Sequence, residues 1–181
     1  MLGMCTMAFA GPFVPNFNSL TVGTAVPFSV VDGATGVTAT YSSPDGSVFT
    51  VAQSFFSFGG NVLLDADPSI HVLNISFSSP ITSFSTVFAL DGAATDQLNL
   101  TAYLGASTVG STSAWGTVPG GFYYPEGTLS YSSAGGFDQV SLVSTAQDFA
   151  IGLGDATPEP GTGLLFAGGA VALVFLRRFR S

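Results

Sequence analysis

Apolar and polar side chains alternate in a series of short stretches between residues 11 and 156. A two-residue period is typical of strands with one buried face, and no long stretch has the 3.6-residue period of a helix. Earlier strands are predicted at residues 37–41 and 48–58. The apolar positions of the alternating stretches are Leu73, Ile75 and Phe77; Phe84, Phe88 and Leu90; Leu98, Leu100, Ala102 and Leu104; Val140 and Leu142; and Phe149, Ile151 and Leu153.

Turn-forming residues stand between these stretches. About eight to ten short strands, with a turn every ten residues or so, predict an all-β fold: an antiparallel β-sandwich of the jelly-roll type. Residues 11–156 are therefore predicted to form one β-sandwich domain. The turn signals are Asp32-Gly33, Ser43-Pro44-Asp45-Gly46, Gly59-Gly60-Asn61, Ser79-Pro80, Asp91-Gly92 and Gly135-Gly136.

The charged side chains are few and unevenly placed. Three basic residues, Arg177, Arg178 and Arg180, stand against eleven acidic ones, so everything before Arg177 carries only negative formal charges. An anionic body is repelled by phosphate backbones, which argues against nucleic-acid binding. Cations or neutral polymers are the expected ligands.

The first residues resemble part of an export signal. The apolar stretch from Leu2 ends in Ala8-Phe9-Ala10, which matches the small-x-small rule for signal peptidase cleavage before Gly11. Residues 1–10 are therefore predicted to be a partial signal peptide, since a basic segment does not precede the apolar one. The alternative is an ordinary hydrophobic N-terminal strand.

The C-terminal residues combine three signals in order. Pro158-Glu159-Pro160 is followed by an apolar stretch that ends at Leu176 and then by the arginine cluster. As a helix, residues 161–176 would span ~24 Å, somewhat less than the ~30 Å hydrocarbon core of a bilayer. Arginine side chains can reach past such a mismatch, and their position marks the cytoplasmic end. The pattern predicts a single transmembrane helix with the body outside the membrane.

This arrangement closely resembles the PEP-CTERM sorting signal of Gram-negative bacteria. In that family the tail holds an exported precursor in the inner membrane until an exosortase-type transpeptidase cuts near the Pro-Glu-Pro motif. The resemblance implies that residues 157–181 are a sorting and anchor segment and that the mature protein is on the cell surface or secreted. A plain single-pass anchor is the alternative.

The second half of the body, from Asn74 to Val140, also resembles the β-sandwich domains found upstream of such tails. Those domains are similar to lectin-like and carbohydrate-binding-module jelly rolls. The family resemblance implies a link with exopolysaccharide and biofilm, without pointing to any one residue of the body.

Candidate catalytic groups are sparse. His71 is the only histidine and precedes a predicted strand, where an exposed, non-catalytic side chain is expected. Glu126 could serve with an aspartate as the carboxylate pair of a glycoside hydrolase, but most aspartates stand in turns. The spacings of zinc ligands and of phosphate-binding loops are missing from the sequence. A non-enzymatic protein is therefore predicted.

One short segment could bind a cation. Asp65-Ala66-Asp67 is predicted to place two carboxylates on the same side of a loop, and calcium prefers oxygen clusters. The alternative is a pair of solvated turn aspartates. No cofactor is predicted other than this candidate calcium ion.

A second segment is rich in aromatic residues. Residues 115–126 hold the only tryptophan and three further aromatic rings, followed by a carboxylate. Sugar rings stack on exposed aromatic faces, and a carboxylate can accept hydrogen bonds from sugar hydroxyls. The alternative is that the rings plug the open end of the sandwich. The predicted glycan contacts are Trp115, Phe122, Tyr123, Tyr124 and Glu126.

These observations favour an exported, exosortase-processed, non-enzymatic surface or matrix protein whose β-sandwich associates with exopolysaccharide. The expected partners are the exosortase, the inner membrane before processing, and extracellular polysaccharide. A lectin-like module that binds a defined glycan or calcium is the first alternative. A polysaccharide-acting hydrolase is the second.

Overall fold

A computed structural model of the protein describes residues 10–65 and 67–153, which form ten β-strands and no helix. The predicted all-β fold is therefore confirmed for these residues. The strands are β1 (Ala10–Phe13), β2 (Phe28–Val31), β3 (Thr38–Ser42), β4 (Phe49–Gln53), β5 (Asn61–Asp65), β6 (Val72–Asp91), β7 (Gln97–Leu104), β8 (Ser107–Trp115), β9 (Glu126–Ser144) and β10 (Asp148–Gly152).

The strands form a β-sandwich whose two layers share β6 and β9. The first part of β6 pairs with β3 and with the last part of β9, and this layer continues through β7 to β8 and from β3 to β2. The last part of β6 pairs with the first part of β9 and with β10, and this layer continues through β5 to β4. Every pairing is antiparallel except that of β1 with β6. The antiparallel sandwich is confirmed, and the jelly-roll topology stays a prediction.

Two of the predicted turns do not end a strand. Ser79-Pro80 lies inside β6 and Gly135-Gly136 inside β9, where the register between the two strands shifts. Ser76 pairs with Gln139 and Ser83 with Ser132, so the same length of chain lies between these pairs on both strands. Gly136 has a φ of +70°, which favours glycine. The prediction was wrong because bends within strands use the same residue types as turns.

One core cluster draws apolar side chains from both layers, including Leu73, Leu98, Phe88 and Phe149. The apolar positions predicted from the alternation are buried, with the exceptions of Leu104 and Leu153. Leu104 is the last residue of β7 and Leu153 follows the end of β10, so neither lies in a strand that continues on both sides of it along the chain. Aromatic rings supply much of the core volume, led by Tyr41 and seven fully buried phenylalanines.

The two terminal predictions fall outside the described residues. Between residues 10 and 153, no helix is long and apolar enough to cross a membrane. The predicted anchor and the sorting residues Pro158, Glu159, Pro160, Arg177, Arg178 and Arg180 lie beyond these ranges, as do residues 1–9 of the predicted signal peptide. Cleavage before Gly11 would remove the first residue of β1 and leave the rest of that strand.

Candidate functional site

The aromatic segment forms a loop that is closed at its base. β8 ends at Trp115 and β9 begins at Glu126. Thr117 and Glu126 exchange two backbone hydrogen bonds, of 2.8 and 2.9 Å, across the base. Within the loop, the Phe122 N–H donates to the Pro119 carbonyl at 3.1 Å. This segment is therefore anchored to the sheet rather than extending freely from it; we call residues 115–126 the aromatic loop.

The predicted glycan contacts divide into exposed and buried side chains. Trp115 is 61% exposed, Phe122 41% and Tyr123 82%. Tyr124 is half-buried and packs against Phe55 and Phe56. The alternative that the rings plug the sandwich therefore describes only Tyr124, since the other three rings present their faces or edges to water.

A continuous run of rings connects the interior to the surface. Phe58 and Phe56 stack at a centroid distance of 5.2 Å, and Phe56 lies 5.6 Å from Tyr124. Tyr124 in turn lies 5.7 Å from Phe55 and 5.2 Å from Tyr123. We call Phe58, Phe56, Phe55, Tyr124 and Tyr123 the aromatic run. Its exposure rises from 7% at Phe58 to 82% at Tyr123, so one end is fixed in the core and the other meets solvent.

The alternating pattern predicts the wrong structure for residues 54–58, which carry three rings of this run. Residues 48–58 were predicted as one strand, whereas β4 ends at Gln53. Ser54 turns the chain: its N–H donates to the Gly60 carbonyl at 2.9 Å and its hydroxyl to the Phe58 carbonyl at 2.5 Å. Residues 54–60 thus form a loop that directs Phe55 and Phe56 towards Tyr124. Ser54 and Ser57, on either side of Phe55 and Phe56, are a usable signal in the sequence, because serine hydroxyls stabilise turns.

Glu126 holds this loop in place. Its two carboxylate oxygens lie 2.9 and 3.2 Å from the backbone N–H of Ser57, and the Ser57 hydroxyl donates to the same group. Glu126 itself is buried. The Glu126 carboxylate is therefore not a free acceptor, because its oxygens already accept hydrogen bonds from the neighbouring loop. Its contact with a glycan stays a prediction.

A cavity of about 170 Å³ lies beside the aromatic run. Phe55, Phe56 and Tyr124 line one part of it, and Asp91 and Asp148 line another. Asp91 is the last residue of β6 and Asp148 the first of β10, and the two are register partners, so they lie side by side at the same end of these neighbouring strands. We call this space the acidic cavity. Sequence reasoning missed it, because Asp91 was assigned to a turn and Asp148 to no role.

The Asp148 carboxylate lies in surroundings that disfavour its negative charge. Its Oδ1 atom is buried and has no hydrogen-bond partner among the described residues. Burial raises the pKa of Asp148, and the negative charges of Asp65, Asp91 and Asp67 raise it further, against a smaller opposing effect of His71. A group in this setting favours a proton or another cation as a neighbour.

His71 and Asp65 form a buried pair close by. His71 Nδ1 lies 2.9 Å from Asp65 Oδ2, and both side chains are buried. Burial lowers the pKa of His71, but the hydrogen bond and charge of Asp65, with the charges of Asp67 and Asp45, outweigh it and raise that pKa. The expectation of an exposed His71 is wrong, because the strand end of β5 places a carboxylate beside the ring.

The same pair changes the setting of the candidate calcium ligands. Asp65 is the last residue of β5 and is fully buried, so it is neither a loop residue nor a solvated one. Asp67 is exposed, and Ala66 lies outside the described residues. In residues 10–65 and 67–153, no group of three or more His, Cys, Asp or Glu side chains could hold a metal ion. Calcium binding at Asp65 and Asp67 stays a prediction.

The carboxylate pair of a hydrolase is not assembled around Glu126. Glu126 lines a surface groove together with Ser57, Pro119 and Thr128, and no other described residue that lines it carries a carboxylate. Asp91 and Asp148 line the acidic cavity instead. Glu126 and the aspartates therefore belong to different spaces.

Comparison with solved structures gives several similar chains, of which two are described. No protein-family model matches the chain, and no curated protein matches it. One is the carbohydrate-binding module TmCBM61, solved in complex with β-1,4-galactotriose, which is 11% identical with a TM-score of 0.34. The match covers 62% of this chain and 82% of the TmCBM61 chain. Another is the enzymatically active domain of tailspike protein 4 of bacteriophage CBA120, which is 16% identical with a TM-score of 0.33. The match covers 76% of this chain and 21% of the tailspike chain. The β-sandwich described above rests on the strand pairings of this chain and not on these matches.

Proposed function

We propose that this chain is an exported, non-enzymatic β-sandwich that binds extracellular polysaccharide through the aromatic loop. The observation that carries the proposal is the aromatic run, which begins in the core at Phe58 and ends at Tyr123, where 82% of the side chain is exposed. Rings at such positions forgo the stabilisation of burial, so a ligand that covers them is expected.

The chemistry of the loop suits a sugar chain. Aromatic faces attract the apolar C–H faces of sugar rings, and Trp115, Phe122 and Tyr123 offer three such rings within one short stretch of chain. The rings are also held in place, since the loop is closed by the Thr117–Glu126 hydrogen bonds and Tyr124 is packed on Phe56. A preorganised surface loses little conformational entropy on binding.

The C-terminal resemblance supports the location. A PEP-CTERM-like tail implies export, temporary anchoring in the inner membrane and processing by an exosortase near Pro158. On this proposal the mature protein is an acidic surface or matrix component that associates with exopolysaccharide. Intact-mass analysis of the protein from its native host tests this route: a mass without the arginine cluster is expected, and a mass that includes Arg180 contradicts it.

Binding is tested by affinity electrophoresis of the full-length chain in gels that contain one polysaccharide each. Retardation is expected in at least one gel, and Trp115→Ala and Tyr123→Ala should each weaken it about tenfold, the equivalent of ~1.4 kcal/mol. Val31→Ala is the matched control, because Val31 is 63% exposed and lies in β2, outside the aromatic loop. Equal retardation of all variants would refute the proposal.

The absence of catalysis is part of the same proposal. After prolonged incubation with each retarding polysaccharide, we expect no new reducing ends. New reducing ends that disappear in Glu126→Gln would instead establish the hydrolase alternative. The calcium alternative is tested separately, by comparing the melting temperature in calcium with that in chelator; a clear increase in calcium would support it.

A further inference from the structure

We infer that the acidic cavity binds a protonated amino group carried on a sugar, so that the polysaccharide partner is one with free amino sugars. The inference rests on the proposed glycan-binding function and specifies its ligand class. It is carried by the cavity beside the aromatic run, where ring faces and carboxylates line the same space.

The charge balance of the protein favours a cation from outside. No Lys or Arg occurs before Arg177, and the buried pair of His71 and Asp65 is the one ion pair among the described residues. Asp91 and Asp148 therefore have no Lys or Arg beside them in the described structure. The basic side chain that acts on Asp148, His71, is already paired with Asp65, which also lines the cavity. Repulsion between neighbouring carboxylates is relieved when a cation binds between them.

The hydrogen-bonding balance leads to the same ligand. The buried Oδ1 of Asp148 is an acceptor that no described group satisfies. A buried acceptor without a donor is unfavourable, and an ammonium group supplies three donors. A neutral sugar hydroxyl could donate one hydrogen bond there but would leave the charge uncompensated.

The walls and the size of the cavity suit one sugar residue. Phe55 is 55% exposed and contacts Tyr124, so ring faces are available both to sugar C–H groups and, by cation–π attraction, to the ammonium. A volume of about 170 Å³ is below the ~300–1,000 Å³ of sites that enclose drug-sized ligands. One residue can enter while the rest of the chain follows the exposed rings of the aromatic loop.

Other charged ligands fit less well. Uronic acids, sulfated sugars and phosphates would meet carboxylates of the same sign. A calcium ion needs six to eight oxygen ligands, whereas a large part of this wall is aromatic, and the described residues contain no group of three or more His, Cys, Asp or Glu side chains that could hold a metal ion.

The test compares two oligosaccharides that differ only in acetylation. The full-length chain is titrated calorimetrically with a β-1,4-linked glucosamine tetramer and with its N-acetylated counterpart, at about pH 6, where primary amines are protonated. We expect the free-amine tetramer to bind at least tenfold more tightly. Asp148→Asn should abolish this preference while leaving the weaker binding of the acetylated tetramer unchanged.

Two further variants keep the result interpretable. Asp91→Asn, at an exposed position, should also reduce the preference and serves if Asp148→Asn does not fold. Asp138→Asn is the matched control, because its carboxylate accepts hydrogen bonds from the Gly105 N–H and does not line the cavity.

The outcomes separate this inference from the proposed function. Equal affinities for the two tetramers, or a preference that persists in both cavity variants, would overturn the inference. If a glycan still binds in a manner that depends on Trp115 and Tyr123, the proposed function survives that result. If no glycan of any kind binds, both are refuted.

Discussion

Replacing Glu126 with alanine should loosen residues 54–60 and, with them, three of the five rings of the aromatic run. In the native structure the Glu126 carboxylate accepts hydrogen bonds from both the backbone N–H and the hydroxyl of Ser57. The variant removes every one of these acceptors. Phe55 and Phe56, on the same loop, would keep their ring contacts with each other, with Phe58 and with Tyr124, and the hydrogen bond from the Phe56 N–H to the Ser54 hydroxyl.

The size of the effect follows from the burial of the two partners. A hydrogen bond to a charged group contributes about 1.5–3 kcal/mol, and more is lost when the partner is left buried. Ser57 is exposed, so water can replace part of what it loses. We therefore expect a loss of about 2 kcal/mol in the free energy of unfolding. For a chain of this length that corresponds to a decrease of roughly 4–8 °C in melting temperature.

The assay is thermal unfolding of the full-length chain, with Asp138→Ala as the matched control. Asp138 also accepts two contacts from one backbone N–H, that of Gly105 at 3.0 and 3.1 Å, but this interaction is exposed. Its loss should cost less than about 1 kcal/mol. Glu126→Gln, which keeps an acceptor oxygen, should lie between the two. A Glu126→Ala protein whose melting temperature equals that of the wild type, or that of Asp138→Ala, would refute the reasoning.

Two further predictions concern the loop base and the pH dependence. A methyl group at Gly116 would lie 2.6 Å from a backbone carbon across the base, whereas one at Gly120 would meet nothing within 4 Å. Gly116→Ala should therefore destabilise the protein by about 1–3 kcal/mol and Gly120→Ala hardly at all, as measured by melting temperature; equal effects would contradict this. The pKa of His71 is raised above 6.5 and that of Asp148 above 3.8, so the folded chain holds more protons than the unfolded chain. Stability should therefore decrease as the pH rises from about 4 to 8. Asp32, whose pKa is lowered, affects stability only at lower pH. A melting temperature that rises between about pH 4 and 8 would contradict this prediction.

The alternation of side chains predicted the fold class and most of the core because burial of one strand face is a local property. Leu73, Ile75, Leu98 and Leu100 needed no knowledge of their partners to be assigned to the interior. The aromatic loop was also predictable as a unit, because four rings in a short stretch rich in glycine and proline stand out in any sequence.

The candidate site was only partly predictable. Trp115, Phe122 and Tyr123 are exposed, as a glycan contact requires, whereas Glu126 turned inward to a loop far away in sequence. The residue type does not show whether a carboxylate faces water or a backbone N–H, and the residues next to Glu126 in the sequence do not distinguish these two environments.

By itself, the sequence determined the all-β class, most of the buried strand positions, the purely acidic character of the body and the tail that resembles a sorting signal. Each of these depends on residue type and spacing alone. Only the tertiary structure decided that Asp91 and Asp148 are paired across β6 and β10, that Asp65 is buried against His71, and that Phe55 reaches Tyr124. These contacts join residues far apart in the chain, and they depend on strand order and register, which the local pattern of apolar side chains does not specify.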